Sequence, residues 1–232
     1  MHLVLSGEGN SDIGRLSYKK NTFEPAPMYF LIDKILENNL HYSIYQLTPD
    51  DITFIPKVEL MRVCKSMKSF PSKKNGQETQ LFYKNAMGLS RIAKLKSIEK
   101  KDTDAVVVLF RDSDGTNTSD PKEHDNKIKA IEFAFKQEEV SGIAMVPRPK
   151  SEAWLICALK DKPYENCKKL EGRSGNDDSP HNLKDELSEI LKSKNKTYYN
   201  INDMIQNNEI DIEKIDMPSF KYFKNKLENI LS

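Results

Sequence analysis

The chain has 232 residues, of which 38% are hydrophobic and 31% are charged. That length suits one large α/β domain, alone or with a helical appendage, and no apolar run is long enough to cross a bilayer. The net charge of +1 neither supports nor excludes nucleic acid binding, because only separation of the two signs on the surface would create a binding face.

The first half of the chain alternates between strand and helix patterns. A short apolar strand over 2–6 runs into a glycine turn, and a polar loop over 10–26 follows it. Apolar residues at helical spacing predict a helix over 27–39, which begins with a proline that suits the first turn. The alternating pattern over 41–48 predicts the second strand.

The pattern continues with two more strands. The β-branched run over 104–110 is typical of a central parallel strand that is buried on both faces. A further apolar strand is predicted over 142–147. The segments between and after these strands have helical spacing, and helices are predicted over 57–70, 78–99, 121–138 and 152–159.

The resulting β-α-β-α-β-α-β order over 1–150 predicts an α/β fold with a mainly parallel, Rossmann-like sheet flanked by helices. The last third of the chain has little strand pattern, and helices are predicted over 180–193 and 218–231. We therefore expect a first domain over 1–160 and a helical C-terminal extension over 161–232 that packs on it.

The cysteines and the start of the chain bear on the cellular compartment. The three cysteines are Cys64, Cys157 and Cys167, without any CxxC spacing. Their odd number argues against a disulfide framework or a zinc site, and Cys157, in an apolar run, is expected to be a buried thiol. The N-terminus lacks the basic and long apolar regions of a signal peptide, so we expect a cytoplasmic protein without membrane association.

Two acidic pairs follow predicted strands. Glu8 and Asp12 follow the first strand, while Asp112 and Asp114 follow the third. Ligands of open parallel sheets bind at the carboxyl ends of the strands, so the two pairs converge if these strands are neighbours. Crowded carboxylates raise one another's pKa unless a cation neutralises them, and hard oxygen ligands favour Mg²⁺ or Mn²⁺. Such an ion keeps waters that a phosphate oxygen can displace.

Each acidic residue also has an ordinary structural interpretation. A single carboxylate after a strand is commonly a helix cap or a turn former, and Asp12 alone fits a cap. The occurrence of both pairs, each after a strand, favours the metal hypothesis.

Here the sequence resembles a family. The segment GEGNSD (7–12) is similar to the first Toprim motif, a glutamate on a glycine turn with an acidic residue close behind. The segment VVVLFRDSDG (106–115) is similar to the second, a hydrophobic strand that ends in DxD. The segment PRPKSEAWLICAL (147–159) resembles a Pro-x-x-x-Glu-x-Trp-Leu segment of small Toprim-like proteins associated with mobile elements or phage defence. The resemblance covers about residues 1–160.

The resemblance implies a Toprim-like catalytic domain and assigns roles to five acidic residues. Glu8 would be the general acid/base and a metal ligand. Asp112 and Asp114 would be catalytic Mg²⁺ ligands, and Asp12 would support the metal or its waters. Glu152 follows the fourth predicted strand and would supply a second metal site, since two metals stabilise both the attacking and the leaving oxygen. The ordinary interpretation of Glu152 is a first-turn helix residue favoured by the helix dipole.

Three basic residues lie close in sequence to the proposed metal ligands, Arg111 beside Asp112, and Arg148 and Lys150 before Glu152. Arg111, Arg148 and Lys150 are candidates to hold the scissile phosphate or to offset the charge of the carboxylates, with Lys150 assigned to the catalytic set. Lys184 would approach the site if the C-terminal helices fold over it. The combined hypothesis is a nuclease that depends on Mg²⁺ or Mn²⁺ and cleaves DNA or RNA phosphodiesters. The resemblance adds a role in phage defence and a protein partner such as an ATPase subunit, because this chain contains no ATPase domain.

Two alternatives remain open. The segment VVVLFRDSDGTN (106–117) also matches the opening motif of haloacid-dehalogenase-type phosphatases, in which Asp112 would be the nucleophile and Asp114 the general acid/base. That hypothesis needs a later lysine and a second acidic pair, for which GNDD (175–178) is the candidate. The other alternative is a non-catalytic subunit that binds nucleic acid or a protein partner and keeps a vestigial metal site.

Overall fold

The computed structural model describes residues 1–17, 19, 22–67, 77–101, 105–113 and 121–231. Six strands and nine α-helices are described within these ranges. The strands are β1 (His2–Gly7), β2 (Gly14–Leu16), β3 (Phe23–Pro25), β4 (Ile52–Ile55), β5 (Ala105–Phe110) and β6 (Ser141–Met145). The helices are α1 (Pro27–Leu40), α2 (Ile44–Leu47), α3 (Lys57–Lys65), α4 (Gln77–Lys100), α5 (Pro121–Gln137), α6 (Ser151–Leu159), α7 (Leu183–Ser193), α8 (Asn200–Gln206) and α9 (Pro218–Leu231).

Four parallel strands form the central sheet in the order β4-β1-β5-β6. The register pairs Gly7 of β1 with Phe110 of β5, and Phe110 with Met145 of β6. The carboxyl ends of these three strands are therefore level along one edge of the sheet. The predicted α/β fold with a mainly parallel sheet flanked by helices is confirmed.

Each face of the sheet has its own apolar core. Leu5 and Val108 face α1, α6 and the three C-terminal helices, where Trp154 and Phe220 are fully buried. The alternate strand residues face α3, α4 and α5 and form the second core. This division follows from the pleat, which directs successive side chains of a strand to opposite faces. The residues after 160 complete the first core with the apolar sides of α7, α8 and α9.

The second strand of the sheet does not lie where the sequence predicted it. Residues 41–48 contain the short helix α2, and the strand is β4, over Ile52–Ile55. The cause is Asp33, buried on α1, whose carboxylate accepts hydrogen bonds from the Ser43 hydroxyl at 2.6 Å and from the backbone N–H of Ile44 at 3.0 Å. This distant carboxylate satisfies N–H groups at the start of α2 that have no partner within the helix.

The expectation that Cys157 is a free thiol is wrong. Cys157 and Cys167 form a disulfide, and both are buried. After α6 the chain turns back through Tyr164 and Asn166, which both have positive φ, and this brings the two Cα atoms to 5.2 Å. Among the described helices, none is long and apolar enough to span a membrane.

Candidate functional site

The turn after β1 positions two predicted site residues, Glu8 and Asp12. Gly9 has φ +82°, and a Cβ atom there would lie 1.9 Å from Oδ2 of Asp12. The backbone N–H of Asp12 donates to the carbonyl of Gly9 at 3.3 Å. The carboxylate of Asp12 therefore folds back over Gly9, and this arrangement has no room for a side chain at position 9.

The segment after β5 runs beside the segment after β6. The backbone N–H of Arg111 donates to the carbonyl of Met145 at 3.0 Å, and that of Ser113 donates to Pro147 at 3.2 Å. These bonds extend the β5–β6 pairing past the end of the sheet and place Asp112 beside the start of α6. Asp114, predicted as a catalytic residue and metal ligand, lies outside the described residues.

Ser151, the first residue of α6, joins the three turns. Its backbone N–H donates to Oδ1 of Asp112 at 2.9 Å. Its hydroxyl lies 3.3 Å from Oδ1 of Asp12 and 3.4 Å from Oε2 of Glu152, and its single proton serves one of these oxygens at a time. We call Asp12, Asp112, Ser151 and Glu152 the Ser151 cluster. Both Ser151 and Glu152 are buried, and the N-terminal end of a helix favours nearby negative charge.

The electrostatics of the cluster show that its carboxylates interact. Burial and then the neighbouring charge of Glu152 raise the pKa of Asp12 to about 6, against the lowering effect of the Ser151 hydrogen bond and Lys184. Tyr198 faces the same carboxylates. Burial first, and then the charges of Asp12 and Glu152, raise the pKa of Tyr198, so its hydroxyl remains a donor. Among the described groups no well-formed hydrogen bond engages this buried hydroxyl, although Asp12 is near.

Glu8 lies next to the cluster but is paired with cations. Its Oε2 accepts from Arg111 at 2.6 Å and from Lys57 at 3.2 Å. Arg111 is 6% exposed at its side chain, so its charge has little access to water and depends on Glu8. The charge of Glu8 also contributes to the raised pKa of Asp12, as its smallest cause.

Lys150, predicted to be catalytic, connects the site to the loop after residue 172. Its Nζ is buried and donates to Oδ1 of Asp177 at 2.6 Å, while Lys184 donates to Oδ2 at 2.9 Å. These two hydrogen bonds lower the pKa of Asp177. Asp177 therefore holds Lys150 and Lys184 together at the rim of the cluster.

A pocket of about 390 Å³ opens between the cluster and the C-terminal helices. Asp12, Glu152 and Tyr198 line part of it. The remaining wall comes from Ser11 in the turn after β1, from α7 and from the segment after α7. Three lysines contribute to that wall, namely Lys184, Lys192 and Lys196. The approach of Lys184 to the site is thus confirmed.

Sequence reasoning missed Ser151 and Tyr198. Ser151 had a local signal, because it directly precedes Glu152, where the predicted helix begins. Tyr198 had none, since it reaches the carboxylates only through the packing of α7 and α8, which the sequence pattern does not specify.

The cluster contains oxygen atoms of the kind that hard divalent cations prefer as ligands. Carboxylates are the ligands that Mg²⁺ and Mn²⁺ prefer, and Asp12, Asp112 and Glu152 would hold such an ion. Among the described residues, no three His, Cys, Asp or Glu side chains are already arranged to bind a metal. Asp114, a member of the predicted ligand set, lies outside these residues.

Comparison of the chain with models of protein families, with curated proteins and with solved structures found no match in any of the three. The fold and site define a protein of the α/β class that carries a carboxylate cluster at the carboxyl edge of a parallel sheet.

Proposed function

We propose that this protein is a nuclease that uses Mg²⁺ or Mn²⁺ to hydrolyse phosphodiester bonds of nucleic acids. The observation that supports this proposal is the convergence of Asp12, Asp112 and Glu152 on Ser151. It occurs at the carboxyl ends of the strands, where open parallel sheets bind their ligands. A lysine-lined pocket beside it suits a polyanionic substrate.

The residues of the site divide the work of binding and proton transfer. Lys184, Lys192 and Lys196 attract the phosphates of the substrate into the pocket. The protonated hydroxyl of Tyr198 faces Asp12 and would orient that carboxylate as a metal ligand. When bound, a divalent ion would polarise the phosphate and lower the pKa of an attacking water. Glu8, positioned by Arg111, is the further candidate for general acid/base chemistry.

The test is metal-dependent cleavage of labelled DNA and RNA, single-stranded and duplex, by the wild type, Asp112→Ala and Glu8→Ala. We expect cleavage with Mg²⁺ or Mn²⁺, none in EDTA, and a loss of at least about a hundred-fold in both variants. Glu99→Gln is the matched control, because Glu99 is an exposed acid on α4 outside the site. Cleavage that survives both alanine substitutions would reject this site.

A second candidate function is a phosphatase of the haloacid-dehalogenase type. The contact between Lys150 and Asp177 favours it, because that chemistry needs a lysine and a later acid near the nucleophile. Against it, a 3-10 helix over Cys167–Gly172, and not a strand, precedes Asp177. Turnover of p-nitrophenyl phosphate that is lost in Asp112→Asn and Asp177→Asn, without nucleic acid cleavage, would select this candidate.

The biological setting belongs to the proposal and rests on the resemblance to Toprim-like proteins. It consists of phage defence with an ATPase subunit as partner. Co-purification of the chain with such a subunit from infected cells is the measurement that tests it.

A further inference from the structure

A second pocket adjoins the first one. It has a volume of about 600 Å³ and shares Ser11 and Tyr198 with the pocket described above. The two pockets therefore adjoin at Ser11 and Tyr198, and we call the pair the groove; Asp12 and Glu152 line its first half. The rest of the second pocket's lining includes Asn10, Arg15, Glu24, Tyr199 and Asn202.

The two halves of the groove differ in chemistry. The half beside α7 carries the lysines, whereas the other half carries Arg15, amide side chains and Tyr199. Tyr199 is 87% exposed and is the most exposed of the large hydrophobic side chains of the described chain. Arg15 pairs with Glu24 at 2.8 Å, but both side chains are about half exposed, and such surface pairs exchange partners at little cost.

The position of Tyr199 distinguishes it from an incidental surface aromatic. Single exposed hydrophobic residues are ordinary on a protein surface. Phe133, for example, is 56% exposed on α5, where it lies beside Tyr83 and outside the groove. Tyr199 instead lines the groove directly next to Tyr198, whose hydroxyl faces the carboxylates.

We propose that the groove binds a single strand of nucleic acid, with a base stacked on Tyr199 and the phosphates held by Lys192 and Lys196. Stacking on an exposed ring requires a base whose faces are open, and in a duplex both faces are covered by neighbouring bases. An aromatic platform combined with a positively charged track is the combination that binds single strands without sequence preference. This inference deepens the nuclease proposal and rests on it, because it places the strand across the proposed reaction centre.

The experiment measures binding separately from cleavage. A fluorescent strand of roughly 12 nucleotides, as DNA and as RNA, is titrated with the protein in EDTA, beside the DNA duplex of the same sequence. We expect tighter binding of the single strand than of the duplex, and a loss of roughly ten-fold or more in Tyr199→Ala. Tyr199→Phe keeps the ring and is expected to bind as the wild type does. Phe133→Ala is the matched control for removal of an exposed aromatic ring.

The salt dependence tests the other half of the groove. If Lys192 and Lys196 each neutralise one phosphate, the double alanine variant has a log–log salt slope that is shallower by roughly 1.4. Tyr199→Ala is expected to keep the wild-type slope, because stacking releases no counterions.

The outcomes separate the two proposals. Equal affinity for strand and duplex, or wild-type affinity in Tyr199→Ala, rejects the groove as a single-strand site. A protein that binds the strand through Tyr199 and never cleaves it keeps the groove and rejects the nuclease. A protein that cleaves, with the wild-type affinity and rate in Tyr199→Ala, keeps the nuclease and rejects the groove.

Discussion

Single residues decide how the turns of the sheet edge meet. Ser151 uses its backbone N–H for Asp112 and its hydroxyl for Asp12 or Glu152. One proton cannot satisfy two carboxylates, so negative charge at the cluster remains incompletely compensated by hydrogen bonds. Burial and the neighbouring charge of Glu152 together raise the pKa of Asp12, and this pKa can be measured.

The pKa of Asp12 predicts that its contribution to stability falls as pH rises. The ordinary pKa of an aspartate is 3.8 and that of Asp12 in the folded protein is about 6, so between these values the folded state binds more protons than the unfolded state. The contribution is fully present below the lower pKa and is lost as pH rises through about 6. We expect Asp12→Asn in EDTA to gain at most about 3 kcal/mol over the wild type near neutral pH and nothing near pH 4.

Urea unfolding of both proteins across this pH range measures the difference. Asp211→Asn serves as the control, because the hydrogen bond from Lys214 lowers the pKa of this half-buried acid and the slope should have the opposite sign. A difference between wild type and Asp12→Asn that does not change with pH would contradict the assignment.

The sequence located the carboxylates but not the groups that connect them. Glu8, Asp12, Asp112 and Glu152 were predictable because each follows a strand whose hydrophobic pattern is clear, and parallel strands place such residues on one edge. An offset of carboxylate charge by Arg111 was one of two roles predicted for it, but its pairing with Glu8 beside Lys57 was not predictable, because an ion pair depends on the rotamers of side chains from three separate turns.

At the scale of elements, predictability followed the strength of the local pattern. Strand β5 was predictable from its run of valines, because a continuous β-branched stretch is typical of a strand that is buried on both faces. The four-residue strand β4 lies between two prolines and carries too short a pattern to compete with the alternation over 41–48. The hydrogen bonds that Asp33 accepts at the start of α2 favour a helix there. These contacts span ten residues of sequence or more, so the local pattern does not reveal them.

The turn after β1 gives a prediction at this scale. Gly9→Ala is expected to lower the free energy of unfolding by about 1–2 kcal/mol, because an L-residue is strained at a positive φ. It should also reduce the proposed nuclease activity, since the new Cβ would displace the carboxylate of Asp12. Gly172→Ala is the control, because a Cβ there would meet nothing within 4 Å. Wild-type stability and activity in Gly9→Ala would contradict this account of the turn.

The disulfide gives a second prediction for an element, the return of the chain after α6. In the oxidised, denatured protein one thiol, that of Cys64, should react with a thiol reagent, and all three cysteines should react after reduction. The Cys157→Ala/Cys167→Ala double variant is expected to lose about 2–4 kcal/mol of stability, whereas Cys64→Ala keeps its disulfide. Three reactive thiols before reduction would show that the pair is not bonded.

For the whole molecule, the C-terminal helices complete both the core and the pocket. Trp154 of α6 packs against Phe220 and Phe223 of α9, with ring centroids 5.1 and 6.0 Å apart. The same helices bring Lys184 and Tyr198 to the carboxylates. The sequence predicted α7 and α9 as helices, but their docking depends on shape complementarity between distant apolar faces, which a pattern of single residues does not encode.

The link between α6 and α9 can be tested at one buried atom. The indole N–H of Trp154 donates to the hydroxyl of Ser219 at 2.8 Å, and the backbone N–H of Ser219 donates to Glu171 at 2.7 Å. Ser219→Ala leaves the buried indole N–H without an acceptor, so we expect a loss of about 1–3 kcal/mol in urea unfolding. Ser193→Ala, which removes an exposed hydroxyl from the end of α7, should change stability by less than about 0.5 kcal/mol. If both variants have the free energy of unfolding of the wild type, the hydrogen bond of the indole does not stabilise the packing of α9 on α6.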